Sequence, residues 1–233
     1  MTSDEDTARA AAAAAAVELV EPGMTIGLGS GRAVFKVVEL LGRRGGHPRA
    51  AVASNRTAEL ARECGIEVVE LDGELELDLA LDGADEVDSA LRLIKGGGGA
   101  LLREKIVISA ARRFVVVAET PKRVGRLGEH HRLPVEVVRF AWRDTRRRVE
   151  RLLPDPELRT ANGEPYVTDE GHYILDCAIP PDADADALDH HLKDVPGVVE
   201  HGLFIGMAER ALLGRPDGGV DRLEAAVKAR SPR

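Results

Sequence analysis

The sequence predicts an α/β protein: a mostly parallel sheet covered by helices, with a second, smaller α+β unit. Three observations predict it. Short runs of Val, Leu, Ile and Ala alternate with helical patterns through residues 7–118, the rhythm of right-handed βαβ units. Hydrophobic residues make up 44% of the 233 positions and aromatics only 3%, so the core must be aliphatic, as in buried parallel strands under Ala-rich helices. Near Leu133 the texture changes to short strands between polar, Pro-containing turns.

Taken in order, residues 7–19 read as an Ala-rich helix closed by Pro22-Gly23, and 24–28 as a buried strand running into Gly29-Ser30-Gly31. Val34, Val37, Val38 and Leu41 stand at helical spacing, with a stop expected at Gly42. Strands are expected at 50–53 and 66–71, with a helix over 57–64 between them. The apolar run 79–81 leads into the acidic loop Asp82-Gly83-Ala84-Asp85-Glu86. A helix over 101–112 precedes a strand over 114–118. Beyond it, 133–138, 167–168 and 173–179 read as strands, 187–192 as part of a helix and 222–233 as a terminal helix. The expected division is a small α+β domain over 131–205 and a larger domain made of 1–130 and 206–233.

Composition narrows the function. With 32 basic and 40 acidic residues the net charge is −8, which argues against a general nucleic-acid or membrane-surface binder but leaves a small anionic ligand open. The N-terminus is acidic over Met1–Asp6, and the Ala10–Ala16 run is too short to span a bilayer. Cys64 and Cys177, far apart, read as reduced thiols, so the expected compartment is the cytoplasm.

Three segments can carry chemistry. Gly27-Leu28-Gly29-Ser30-Gly31-Arg32 joins a strand to a helix, where backbone N–H groups and the helix dipole favour an anion and Arg32 can grip a phosphate. It is neither the dinucleotide fingerprint nor a P-loop, and alone it could be only a tight turn. Asp82 and Asp85 could orient hydroxyls, move protons or bind a hard cation; the bland alternative is a solvated turn. Lys95-Gly96-Gly97-Gly98-Gly99 is the most informative. Four successive glycines cost backbone entropy, and a chain accepts that cost where N–H groups must approach a ligand that develops negative charge. Glu104, on the helix that follows, can point back toward the sheet edge. His130-His131 and His190-His191 lack the spacing of a helical zinc site.

Together these pieces resemble the type A ribose-5-phosphate isomerase family. Gly27-Leu28-Gly29-Ser30-Gly31, Asp82-Gly83-Ala84-Asp85-Glu86 and Lys95-Gly96-Gly97-Gly98-Gly99-Ala100-Leu101 with Arg103-Glu104-Lys105 carry the likeness. Leu133-Pro134-Val135-Glu136-Val137, Val167-Thr168-Asp169, Pro196-Gly197-Val198-Val199 and Gly202-Leu203-Phe204 extend it over nearly the whole chain. The resemblance implies a doubly wound, Rossmann-like catalytic domain, a ferredoxin-like second domain, and a homodimer or homotetramer. It implies an aldose–ketose isomerase of the pentose phosphate pathway that needs no cofactor and no metal. Glu104 matches the family's base; Asp82, Asp85 and Lys95 match its other catalytic groups. Ser30, Gly31, Arg32 and Ala33 match the phosphate-side loop. Gly83, Ala84, Gly96, Gly97, Gly98 and Lys122 match substrate contacts, and Arg9 falls where the family has a basic residue. One loop departs: the family's usual Gly-Thr-Gly-Ser-Thr is here Gly29-Ser30-Gly31-Arg32-Ala33, a guanidinium in place of two hydroxyls.

The rival readings are a related-fold enzyme, such as a sugar-phosphate deaminase or acyl-CoA transferase, and a non-catalytic sugar-phosphate sensor. A sensor would need a DNA-reading domain, which this sequence is not expected to contain, and would have no use for Glu104, Lys95 and both aspartates together.

Overall fold

A computed structural model describes residues 3–46 and 48–224. In chain order its elements begin with α1 (Asp4–Val17), β1 (Thr25–Leu28), α2 (Arg32–Arg44), β2 (Arg49–Val52), α3 (Asn55–Glu63) and β3 (Glu67–Val68). Next come β4 (Leu79–Asp82), β5 (Glu86–Val87), β6 (Leu93–Ile94), α4 (Leu101–Ser109), β7 (Phe114–Glu119) and a 3₁₀ turn over Thr120–Lys122. Then follow β8 (Leu133–Val137), α5 (Trp142–Val149), β9 (Glu157–Leu158), β10 (Thr160–Ala161), β11 (Glu164–Pro165) and β12 (Tyr173–Cys177). The chain returns through α6 (Ala185–Lys193), β13 (Val198–His201), β14 (Leu203–Phe204), β15 (Arg210–Gly214) and β16 (Val220–Glu224).

The main sheet has the order β16-β15-β7-β4-β1-β2-β3, parallel throughout except for the antiparallel edge pair β15–β16. Both of its faces are covered, as a parallel sheet requires. One face sends Ile26, Leu28, Leu79, Leu81, Val115 and Val117 into a core with α1 and α2. On the other, Gly27, Ala51 and Ala80 keep the surface low so that α4 can lie close; a Cβ on Gly27 would stand 2.6 Å from Val107. That close approach brings Glu104, in the first turn of α4, over the carboxyl ends of β1 and β4.

The second sheet, β13-β8-β12-β9, is antiparallel and packs with α5 and α6 around its own aliphatic core. Its path, strand–helix–strand twice over with the first and third strands central, is the ferredoxin-like arrangement that the family resemblance implies. A third, three-stranded sheet, β14-β6-β5, links the strand after His201 to the strand that ends at Ile94.

Several boundaries differ from the sequence expectation, each for a physical reason. Gly42 does not stop α2 but lies inside it, because a Cβ there would meet Cys64 at 2.8 Å; it is a contact point between α2 and the end of α3. The strand expected over 66–71 shortens to two residues at the sheet edge. The helix expected to reach 112 ends at Ser109, because Ala111 bridges to Leu77 and Arg112 N–H donates to the Leu77 carbonyl. Val167-Thr168 is no strand; Thr168 N–H and the His172 carbonyl close a turn there. α5, unforeseen, hides only Thr145 and Val149 beneath a largely Arg surface, so it shows little apolar periodicity. In the expected terminal helix, residues 222–224 instead complete β16, where antiparallel pairing with β15 overrides any helical preference, and 225–233 lie outside the described residues.

Candidate active site

A cavity of about 390 Å³ opens where β1, β4 and β7 end, the edge at which parallel sheets present ligand sites. Three loops build it. Gly29 N–H donates to the Leu81 carbonyl, tying the end of β1 to β4, and Gly31, at φ +92°, turns the chain into α2. The first turn of α2 therefore faces the cavity, and Ser30, Gly31, Arg32 and Ala33 line it. Gly83, Ala84 and Asp85 from the acidic loop form a second wall, and Lys95, Gly96, Gly97 and Gly98 a third. Glu104 and Lys122 complete the lining, joined by Val117 and Glu119 of β7.

Beneath this lining is a buried charge cluster. The Lys95 ammonium lies 2.9 Å from Asp82 Oδ2 and 3.1 Å from Glu104 Oε2, and donates to the Gly83 carbonyl at 2.8 Å. Ser30 Oγ donates to Glu104 Oε1 at 2.9 Å. Asp82 Oδ1 accepts from Ser30 N–H at 3.2 Å and Gly83 N–H at 2.7 Å. Asp85 Oδ2 accepts from Gly97 N–H at 2.7 Å, so the second aspartate holds the glycine loop. Asp82 itself is fully buried and lies behind the cavity wall, reaching the cavity through Ser30 and Lys95.

Two carboxylates against one ammonium leave a surplus negative charge in a dry place. Burial, and then the neighbouring Glu104 charge, push Asp82 up to about 7, against the pull of Lys95. Burial works against the Lys95 charge, but the Asp82 and Glu104 carboxylates overcome it and raise the lysine above its ordinary value. The lysine therefore stays a cation at neutral pH.

Two expected substrate contacts do not line the cavity: Asp82, behind its wall, and Arg9, which is buried outside it and pairs with Glu119 at 2.7 Å, with Asp6 at 2.7 Å and with Glu5 at 2.5 Å. Arg32 is largely exposed and pairs with Glu5 at 2.9 Å. Val117 carries no sequence signal, because it sits in an apolar run that reads only as a strand, and Glu119 is a lone acid just past the end of that run. Among the described residues, no cluster of three or more His, Cys, Asp or Glu side chains is placed to hold a metal ion, and no helix is long and apolar enough to cross a membrane.

The family model for ribose 5-phosphate isomerase A (phosphoriboisomerase A) matches residues 50–218. The chain belongs to the ribose 5-phosphate isomerase A family. It is 48% identical over 219 residues to the ribose-5-phosphate isomerase A of a Synechococcus strain, covering 91% of this chain and 95% of the relative. The Roseiflexus castenholzii isomerase is 50% identical over 224 residues, covering 94% and 96%. Among solved structures, the family member from Methanocaldococcus jannaschii superimposes with a TM-score of 0.89 at 36% identity, over 95% of this chain and 100% of that one. A D-ribose-5-phosphate isomerase in complex with phospho-erythronic acid gives 0.89 at 33% identity, over 96% and 100%. Membership in this isomerase family sets aside the sensor and related-enzyme readings.

Proposed function

We propose that this cavity interconverts D-ribose 5-phosphate and D-ribulose 5-phosphate through an enediolate, and that the buried Asp82–Lys95–Glu104 cluster carries the chemistry. The isomerisation moves a proton between C2 and C1, and negative charge grows on the neighbouring oxygen as it does so. Glu104, lining the cavity and fixed by Ser30, is the proton carrier, a part worth roughly 10²–10⁴-fold in rate. Lys95 and the N–H groups of the glycine loop face the growing oxyanion, and one such donor typically accounts for about 3 kcal/mol. Asp85, on the cavity wall, positions sugar hydroxyls; Asp82, behind it, holds Lys95 and assists ring opening through that lysine. The first turn of α2, with Arg32, and Lys122 across the cavity bind the phosphate.

The observation that supports this most is the single ammonium shared by two buried carboxylates at the open edge of a parallel sheet. Phospho-erythronic acid, bound in the structural relative, fits the same chemistry here, since its planar carboxylate imitates an enediolate. Cytoplasmic location and a homodimer or homotetramer belong to the same proposal; sedimentation tests the latter.

The decisive experiment assays EDTA-treated protein for ribulose 5-phosphate formation beside Glu104→Gln. Activity that survives EDTA and falls at least about a hundredfold in the variant supports base and reaction together. Near-wild-type turnover in Glu104→Gln removes Glu104 from the mechanism.

A further inference from the structure

The glycine loop is held from outside the cavity by a residue of the ferredoxin-like unit. Arg159, just after β9, sends Nη1 to the Gly96 carbonyl at 2.8 Å and to the Gly97 carbonyl at 3.2 Å. The other edge of the guanidinium is gripped by Asp176 of β12, Nη2 to Oδ1 at 2.5 Å and Nε to Oδ2 at 2.9 Å. The arginine side chain is only 15% exposed, so the fork is both aimed and sheltered. It lies outside the cavity lining and therefore acts through the loop.

A peptide unit is planar and trans, so the carbonyl of one residue and the N–H of the next point in opposite directions. Drawing the Gly96 and Gly97 carbonyls toward the second sheet turns the N–H groups of Gly97 and Gly98 the other way. Gly97 N–H lands on Asp85, as observed, and Gly98 N–H has no protein acceptor among the described residues. The Gly99 N–H also donates to the Gly96 carbonyl at 3.0 Å, and with it the clamp restricts the conformations that four glycines would otherwise sample. A cation on a carbonyl also polarises the peptide, which strengthens the N–H on its far side as a donor.

We infer that Arg159 is a positioning residue of the isomerase reaction: it fixes and polarises the Gly96–Gly98 backbone so that the Gly98 N–H meets the enediolate oxygen. This rests on the isomerase reading above and adds to it a dependence on the second sheet. Because the donor is worth more to the enediolate than to the sugar, loss of the clamp falls on turnover more than on substrate binding.

The test is steady-state kinetics of Arg159→Gln, Arg159→Lys and Asp176→Asn, with phospho-erythronic acid as the inhibitor and the folded fraction fixed by circular dichroism. The expected result for Arg159→Gln is a kcat lower by roughly 10–100-fold with KM within about threefold, and weaker inhibition in step with the kcat loss. Arg159→Lys recovers part of the loss, and the fall in kcat at near-constant KM is the signature that a purely structural arginine would not give. A folded Arg159→Gln with kcat within about twofold of wild type overturns the inference. Should that variant not fold, Asp176→Asn decides, with several-fold lower kcat upholding the inference and an unchanged kcat sinking it. An active wild type with an indifferent Arg159→Gln sinks this inference alone; a wild type inactive on ribose 5-phosphate sinks the isomerase reading and takes this inference with it.

Discussion

Lys95 and Lys105 are both buried ammoniums, and both lie over the ring of Phe204, at 5.4 and 4.6 Å from its centroid. Their surroundings differ. Lys105 donates to Glu200 at 2.7 Å and to the carbonyls of His201 and Leu203 at 2.8 and 2.9 Å, so one carboxylate and two dipoles satisfy it at the seam between α4 and the β13–β14 strands. Burial lowers it below the ordinary lysine value, only partly offset by Glu200. Lys95 faces two carboxylates and an open cavity, and is raised instead. Glu104 and Lys105 are adjacent on α4, yet one points into the cavity and the other into the seam. A buried charge alone does not make a site. Lys105 also borders a cavity, so what distinguishes the first cluster is its surplus of negative charge, two buried carboxylates in direct contact with one ammonium.

The sharpest way to break this comparison is to neutralise each lysine in turn. Lys95→Gln should lower kcat by about 10²–10³-fold in protein that remains folded, the loss expected for an oxyanion donor. Lys105→Met should leave kcat per folded molecule unchanged and cost about 3–5 kcal/mol in denaturant unfolding, because Glu200 and two carbonyls lose their buried cation. Equal kinetic losses in both variants would erase the distinction.

A smaller effect comes from His201, in the Lys105 cluster. Its ring is wholly buried, with Nδ1 accepting from Leu203 N–H and Nε2 directed at the Asp189 carbonyl 3.1 Å away, the neutral tautomer that this network requires. Burial first, and the Lys105 charge next, push it down to about 4. The unfolded histidine protonates near pH 6.5, so it takes up a proton that the folded one refuses. Stability is therefore fully present above about pH 6.5 and lost as pH falls toward 4, by at most about 3 kcal/mol. Urea unfolding of wild type and His201→Gln at neutral and acid pH checks this; the variant should show a flatter dependence.

The gentlest probe is the proton of the Lys95 cluster. Asp82 takes up a proton as pH falls through about 7, so kcat/KM should have an acid limb in that region. Asp82→Asn removes the titrating carboxyl and should abolish this limb. A limb that stays in place assigns it to another group.

Much of this architecture is legible in the sequence because the βαβ units are short, aliphatic and separated by glycines. The loops that line the cavity are legible because they cluster Gly, Ser, Asp and Lys at strand ends, where a fold has no structural need for them. Arg159 is not legible, since its importance lies in carbonyls 62 and 63 positions away that only the packing of two sheets brings near. Val117 is hidden by its apolar neighbours, and Glu119 is a lone acid just past them. Glu86 reads as one more acid in a polar loop, but it is fully buried and accepts N–H bonds from Gly128, His130 and His131, anchoring the segment that follows Lys122. Gly42 is misread as a helix stop because periodicity cannot show what a helix must avoid touching.

Gly202 presses on the backbone of Lys95. Lys95 N–H donates to its carbonyl at 2.9 Å, and a Cβ there would stand 2.2 Å from the Lys95 carbonyl oxygen. β7, which supplies Val117 and Glu119, likewise pairs with β15 near the end of the described chain. Both supports must travel across the whole of the second sheet before they arrive, a closure of high contact order that comes late in folding. Asp82, Lys95 and Glu104 all lie in the first half of the chain, while the residue that seats the Lys95 backbone and the strand that flanks β7 lie in the second. A cavity built from the front of the chain is thus finished from its back.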